Sequence, residues 1–304
     1  MKAHNRGKGM IKREYLGRTI VTIFGAFMVV LTFGIGIFLA YRGIGTFTTY
    51  HHSVFEFLFS SKWGPADDFQ GGGAVGAAIY IVGSLVTCGL GLLIAVPFSL
   101  CAAIFITEIS PKFGDRFFQP AMEIFVGIPS VVYGWVGMTV LVPFIQKVFN
   151  LNVGYGVLPA GIVLAVMIFP SITSVAADAI RGVPQSFREA SFGLGGTRWQ
   201  TIYKVVVPSA KSGILTGVIL GLARAFGETL AVAMVIGKMR AFPKNIFSPT
   251  MSLTTAIASD MGGAAEGGEF NTALWTMALL LFLISLLFIF LVHMISTKKG
   301  EKKK

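Results

Sequence analysis

Two charged residues, Arg224 and Glu228, interrupt an otherwise apolar segment of the chain. If the segment is a helix that starts at Gly213, Arg224 lies about 16 Å along it, near the middle of a hydrocarbon core about 30 Å thick. A charge at that depth costs at least about 2.5–3.5 kcal/mol, so its retention indicates a function. A guanidinium is planar and permanently charged, which suits it to bind an oxyanion, while Glu228 restrains it or accepts a proton from the ligand.

Three glycines share a helical face with this charged pair. At about 100° per residue, Gly213, Gly217 and Gly221 fall on the same stripe as Arg224 and Glu228. Glycines let a neighbouring helix approach closely, so the stripe predicts helix packing. The alternative to oxyanion binding is an ion pair between Arg224 and Glu228 that only holds helices together. A proton relay through Glu228 would need further acidic or His partners within the spans, and the sequence places these only at span edges.

Prolines interrupt two other apolar segments, at Pro129 before Ser130 and at Pro170 before Ser171. A proline frees a carbonyl one turn earlier, and broken helices in transporters commonly line a pathway. A fixed kink repaired by serine or water is the alternative, and the two interpretations do not exclude each other. Pro129, Ser130 and Pro170 therefore join the candidate pathway.

The composition specifies the elements that must position these residues. Of 304 residues, 54% are hydrophobic and 13% charged, and the mean hydropathy is +0.74, which excludes both a soluble globular domain and a disordered chain. Because a membrane-crossing helix needs about 20 apolar residues, we predict an all-α integral membrane protein with six transmembrane helices. They are placed at 19–41, 74–98, 118–144, 157–177, 213–236 and 273–295. The six-span region 19–295 includes a connecting region at 178–212, and basic tails lie at 1–18 and 296–304.

The distribution of Lys and Arg predicts the topology. Of the 25, 18 lie in the two tails and in the connections between spans two and three and between spans four and five; 6 lie in the other connections, and Arg224 is within a span. By the positive-inside rule both termini are cytoplasmic, which requires an even number of spans. The net charge of +11 is thus explained by topology, and we expect no nucleic acid partner.

Other candidate chemistry is weaker. Cys88 and Cys101 are too far apart on one helix for a disulfide and are interpreted as free thiols. His51 and His52 lack further ligands nearby, so no metal site is predicted. The connection after span one carries an apolar cluster, interpreted as an interfacial anchor or a docking surface for a partner. The cluster consists of Val54, Phe55, Phe57, Leu58, Phe59 and Trp63. The glycine runs at 71–73 and within 261–270 are expected to be flexible connectors.

The cytoplasmic connection between spans four and five predicts a short amphipathic helix. Pro184 is suited to its first position, and Gly193 and the following glycines supply its end. A helix that presents Phe187, Ala190 and Ser191 would fit a groove on a cytoplasmic partner. Trp199 and Tyr203 instead suit anchoring at the membrane interface.

This connection resembles the membrane subunits of ABC importers. Their signature of Glu-Ala-Ala, a later Gly and then Ile-x-Leu-Pro is matched by Glu189-Ala190-Ser191, Gly195 and residues 205–208, with mild departures at Ser191 and in the valines. The resemblance implies a type I ABC importer permease fold and a coupling helix lodged in a cleft of an ATPase subunit. It implies no cofactor bound by this chain, because the partner ATPase uses the ATP and Mg, and no P-loop occurs here. The implied coupling residues are Phe187, Arg188, Glu189, Ala190, Ser191 and Gly195.

The resemblance narrows to permeases of the phosphate importer, and it is carried by the runs at 127–134, 188–190, 195–199 and 223–229. Within that group, the runs at 63–65 and 228–237 resemble the PstC type. This implies a transport subunit, not an enzyme, that forms half of an alternating-access pathway for inorganic phosphate in a bacterial or archaeal inner membrane. It adds Thr229 to the pathway beside Glu228. The implied partners are a PstA-type permease, two cytoplasmic ATPase subunits, an extracytoplasmic phosphate-binding protein and membrane lipid. The alternatives are an ABC permease for sulfate or molybdate, a channel or secondary anion transporter, and a membrane scaffold.

Overall fold

The computed structural model describes residues 4–66 and 69–297 of the chain. Within these residues, six helical segments are long and apolar enough to cross a membrane. The prediction of an all-α membrane protein with six spans is therefore confirmed. The six segments are Gly17–Thr48, Ala78–Ile109, Ser130–Val148, Val157–Arg181, Arg198–Gly227 and Glu269–Leu291, which we number spans one to six.

The spans are built from shorter helices joined by turns and breaks. Four stretches form wider π-helical turns, namely Phe105–Ile109, Gly114–Phe118, Gly137–Leu141 and Ile202–Val206. One small antiparallel strand pair joins Trp63–Gly64 to Ala74–Val75. The α-helices are His4–Gly43, Gly45–Thr48, Val54–Phe59, Ala78–Ile104, Pro111–Phe113, Gln119–Gly127, Ser130–Val136, Val142–Val148, Val157–Arg181, Gln185–Gly193, Arg198–Thr201, Val207–Gly227, Leu230–Val235, Leu253–Asp260 and Glu269–Thr297.

Three predicted boundaries differ from the structure. The first helix begins at His4, so residues 4–18 of the basic tail continue the helix of span one; of the C-terminal tail, 298–304 lie outside the described residues. The predicted third span at 118–144 is divided at Ile128 and Pro129, where the backbone is extended and proline has no amide hydrogen to continue the helix. The predicted fifth span at 213–236 begins earlier, at Arg198, and ends at Gly227.

Span four is the centre of the bundle. In its most apolar stretch 67% of the residues are buried, whereas the corresponding stretch of span one has 0% buried and lies at the periphery. Spans two and four approach closely because glycines on each face the other: a Cβ at Gly91 would lie 3.1 Å from the Leu164 Cβ, and one at Gly161 would lie 2.9 Å from Leu90. The largest buried apolar cluster forms around span four.

Ion pairs at the two ends of the bundle show which connections share an end. At one end, Arg42 contacts Glu266 at 2.7 Å, which joins the end of span one to the connection between spans five and six. At the other end, Arg181 contacts Asp115 at 2.8 Å, which joins the second connection to the end of span four. This alternation is what six consecutive crossings require. We call the end with Asp115 the coupling end.

The apolar cluster after span one is divided between the interior and the surface. Phe57 is buried, and Trp63 packs edge-on against Tyr80 at 5.2 Å between ring centroids. Phe55 and Phe59 remain exposed and stack on each other at 6.2 Å. The expectation of a purely interfacial or docking cluster is therefore wrong for Phe57 and Trp63, because this connection folds back onto the ends of spans two and six.

Candidate functional site

Arg224 lies in the last turn of the helix Val207–Gly227 and is half-buried. Its Nη1 donates a hydrogen bond to the Oγ of Ser171 at 2.8 Å, and Ser171 follows Pro170 on span four. The partial negative charge at a helix C-terminus favours a cation there. Arg224 is therefore near the end of its helix and not at the centre of a longer one, since the helix stops three residues later.

Glu228 lies outside that helix, so it does not extend the stripe of Arg224 and the glycines. Its backbone is extended, at φ −73° and ψ 125°. Its Oε1 accepts a hydrogen bond from the Ala231 amide at 3.1 Å, at the start of the next helix, and its carbonyl accepts one from the Thr254 hydroxyl at 3.0 Å. Among the described residues Arg224 and Glu228 form no ion pair, and the two residues do not share a helical face, so the structure does not show the alternative of a pair that only holds helices together. Thr229 donates from its hydroxyl to the Gly227 carbonyl at 3.3 Å.

A second helix break lies at Pro129. The helix Gln119–Gly127 ends there, and Ser130 begins the helix Ser130–Val136. The Tyr133 hydroxyl spans the break by donating to the Phe125 carbonyl at 2.7 Å. Tyr133 also lies in the neighbourhood of Arg224. Pro129 therefore separates two helices, as in a broken helix, and is not a kink within one continuous helix.

The helices that follow the two breaks pack against each other. A Cβ added at Gly134 would lie 2.8 Å from the Ala231 Cα and 2.9 Å from the Met234 Sδ, so only glycine fits. This contact brings the break at Pro129 to the break at Glu228. A permanent cation and the backbone groups of two broken helices thus lie in one region, which is the chemistry that an anion path requires.

Pro170 is buried in span four, whose helix continues through it. It lines a cavity of about 250 Å³ between span four and the helix Gln119–Gly127, towards the coupling end. Charges of both signs line this cavity, from Glu123, Asp178 and Arg181. The structure therefore places Pro170 beside a largely apolar cavity that has charged groups in its lining, and it places the neighbouring Ser171 in contact with Arg224.

The glycine face of span five lies against span four. A Cβ at Gly221 would lie 2.6 Å from the Ile172 Cγ1, and one at Gly217 would lie 3.2 Å from the Val175 Cβ. Gly213 faces the Ala179 side chain in the same way. The three glycines thus bring spans four and five together on the side of Arg224 that is nearer the coupling end.

A short helix, Gln185–Gly193, lies between spans four and five at the coupling end. Pro184 directly precedes it, and Gly195 has a φ of +79°, a conformation that favours glycine and ends the helix. Phe187, Glu189 and Ala190 are exposed, whereas Ser191 is half-buried and its hydroxyl lies 2.8 Å from that of Thr201. A groove of about 520 Å³ runs along it, lined by Phe187, Ala190, Ser191, Leu194, Gly196, Gln200, Lys204 and Val205.

The resemblance implied that Arg188 is a coupling residue. In the structure its side chain points away from solvent, towards the ends of spans two and four. Its Nη2 lies 2.5 Å from the Oε1 of Glu108, and its Nη1 donates to the Val183 carbonyl at 2.7 Å. A guanidinium that is removed from water needs such partners, and this is the physical reason for its inward orientation. Sequence reasoning missed Glu108, although an acidic residue directly after the apolar run of span two was a signal.

A buried carboxylate at the opposite end of the bundle was also missed. Glu269 accepts hydrogen bonds from the amides of Ala66, Gly72 and Gly73, and from His52 Nε2 at 2.7 Å. The His52 Nδ1 lies 3.3 Å from Glu56. Burial lowers the pKa of His52, but the hydrogen bonds to Glu269 and Glu56 outweigh it, so the pKa is raised above its usual value. The run 71–73 is therefore not a free connector, because the amides of Gly72 and Gly73 bind this carboxylate.

The architecture is shared with a solved ABC transporter. A chain of the bacterial alginate ABC transporter superposes with a TM-score of 0.61 at 15% identity, over 95% of this chain and 96% of that one. The protein thus has six candidate membrane spans and the type I ABC transporter permease fold. Residues 95–300 match the family described as binding-protein-dependent transport system inner membrane component, and the chain belongs to this family.

Two curated relatives cover nearly the whole chain. The probable ABC transporter permease protein YqgH of Bacillus subtilis is 46% identical over 286 residues, which are 94% of this chain and 92% of the relative. The phosphate transport system permease protein PstC of Pasteurella multocida is 35% identical over 95% of this chain and 94% of its own length.

Proposed function

We propose that the chain is the PstC-type permease subunit of an ATP-driven importer of inorganic phosphate. The 35% identity to a phosphate permease over nearly the full length supports the substrate, and family membership supports the importer class. The observation that carries the proposal is Arg224, a cation held by Ser171 beside two helix breaks. Its planar fork is suited to a tetrahedral oxyanion that carries negative charge on several oxygens.

In this proposal Arg224, Glu228, Thr229, Pro129, Ser130 and Pro170 belong to the phosphate path. Ser171 accepts a hydrogen bond from only one nitrogen of the Arg224 guanidinium, so the other nitrogens are available for an anion. Glu228 acts on the path indirectly, because its carboxylate caps the helix Leu230–Val235 and so positions the break. Access alternates between the two membrane faces as the bundle changes conformation.

The proposed partners follow from the surfaces that the chain leaves exposed. The helix Gln185–Gly193 docks into a cytoplasmic ATPase subunit, of which the complex has two, and ATP and Mg are used there and not by this chain. A homologous PstA-type permease completes the path, and an extracytoplasmic phosphate-binding protein delivers the ligand. Membrane lipid covers much of span one, whose apolar side chains are exposed. Both termini face the cytoplasm of a bacterial or archaeal cell.

The test is phosphate uptake by vesicles that contain the assembled complex, with Arg224→Lys. Lysine keeps the charge but loses the fork. A hydrogen bond to a charged group is worth about 1.5–3 kcal/mol, so we expect uptake to fall by about 10- to 100-fold. The matched control is Arg240→Lys, the same change at an exposed arginine that pairs with Asp260, and we expect near-normal uptake.

The double variant Arg224→Gln with Glu228→Gln separates anion binding from mere charge balance. Because the two side chains are not paired here, we expect no recovery of uptake; near-normal uptake would remove Arg224 from the path. Uptake that does not depend on the ATPase would favour a channel or secondary transporter. Equal competition by sulfate or molybdate would contradict phosphate as the substrate.

A further inference from the structure

We propose that Glu108 is a positioning residue that transmits movement of the helix Gln185–Gly193 to span two. The proposal rests on the proposed function, in which that helix docks into an ATPase. Glu108 lies in the π-helical turn Phe105–Ile109 at the coupling end of span two. It is outside the family signature, which covers residues 189–208.

The contact between Glu108 and Arg188 is forked and largely shielded from water. Arg188 Nη2 lies 2.5 Å from the Glu108 Oε1, and Nε donates to Oε1 at 3.2 Å and to Oε2 at 3.4 Å. The Glu108 and Arg188 side chains are 12% and 14% exposed. Because two nitrogens of one guanidinium contact one carboxylate, the contact fixes the relative orientation of the two groups, and not only their distance. Rotation of the helix that carries Arg188 must therefore move the end of span two or break this pair.

Arg188 also fixes the far end of span four. Its guanidinium donates to the carbonyls of Val183 at 2.7 Å and Ile180 at 3.2 Å. A second arginine, Arg198, donates to the Glu108 carbonyl and to the Ile109 carbonyl at 3.2 Å. Glu108 thus lies where span two, the end of span four and the start of span five meet. One carboxylate and its backbone join the three segments to the exposed helix.

The local backbone on both sides of this junction departs from a regular α-helix. Phe105–Ile109 and Ile202–Val206 are both π-helical turns. The first contains the two carbonyls to which Arg198 donates, and the second begins shortly after Arg198. Such turns within helices frequently mark functional sites. Their presence on both sides of the junction agrees with segments that change their pitch when the exposed helix moves.

The experiment measures phosphate uptake and ATP hydrolysis in the same vesicles that contain the full complex. We expect Glu108→Gln, which keeps the size but removes the charge, to lower uptake per ATP hydrolysed at least fivefold while the ATPase still co-purifies. Arg188→Lys, which keeps the charge but loses the fork, should lower the same ratio. The matched control is Asp115→Asn at the neighbouring pair with Arg181; the Asp115 side chain is 67% exposed, and we expect a ratio within twofold of the unmodified complex.

The ratio separates transmission from a purely structural role. A proportional fall in uptake and hydrolysis with the complex intact, or an unchanged ratio in both variants, would overturn the proposal. If Glu108→Gln prevents assembly, the ratio measured for Arg188→Lys decides. A separate variant tests whether the helix Gln185–Gly193 docks into the ATPase. If it does not dock, Glu189→Ala on its exposed face should leave both ATPase co-purification and phosphate uptake unchanged.

Discussion

The buried carboxylate of Glu269 should be a major determinant of stability at the end of the bundle opposite the coupling end. Its side chain is 0% exposed, and three backbone amides and His52 Nε2 donate to it. Glu269→Gln preserves the volume but removes the charge. It also offers an NH₂ group to neighbours that are all donors, so at least one of these hydrogen bonds is lost.

The expected cost can be bounded from these contacts. Removing one partner of a buried ion pair costs about 3–5 kcal/mol, and a hydrogen bond to a charged group contributes about 1.5–3 kcal/mol. Because these terms describe the same carboxylate they do not add, and we expect a loss of about 3 kcal/mol. The matched control is Glu56→Gln, which removes the other, partly exposed partner of His52; we expect a loss below about 1 kcal/mol. Unfolding of the purified protein in detergent measures both.

The pH dependence has a definite sign. The pKa of His52 is raised in the folded protein because its bonds to Glu269 and Glu56 outweigh the effect of burial. The stabilisation by charged His52 is therefore complete below its unfolded pKa of about 6.5 and is lost as the pH rises through the higher folded value. The stability difference between the unmodified protein and Glu269→Gln should shrink over that window. A difference that is independent of pH, or equal losses for Glu269→Gln and Glu56→Gln, would refute this reasoning.

Two further predictions concern packing and topology. Gly221→Ala places a Cβ about where Ile172 lies, so we expect a loss of about 1–3 kcal/mol on unfolding in detergent; Gly89→Ala on span two, where a Cβ meets nothing within 4 Å, is the control and should not destabilise. Topology is tested in intact cells with a chain whose own cysteines have been replaced. An impermeant thiol reagent should label Lys244→Cys but not Leu194→Cys, although Leu194 is 91% exposed in the structure. Labelling of Leu194→Cys would contradict a cytoplasmic coupling end.

The sequence predicted the number of spans because lipid permits few alternatives to an apolar helix, and the same argument located Arg224 within one. The break at Glu228 could not be predicted in this way, since the residues after it are as apolar as those before it. That break is stabilised by the Ala231 amide and by Thr254, and Thr254 belongs to a later helix. The Glu108–Arg188 pair and the Glu269 cluster likewise join segments distant in sequence, so only tertiary packing reveals them.

Span four connects the two sites that carry the proposed function. Its end supplies the Ile180 carbonyl that Arg188 binds, and Ser171, about 14 Å earlier on the same helix, holds Arg224. Between these two points the span packs closely against Gly213, Gly217 and Gly221 of span five. A continuous helix transmits displacement along its axis, because stretching it would break backbone hydrogen bonds along its length. Any shift of span four relative to span five at the coupling end must therefore also alter the contact between Ser171 and Arg224.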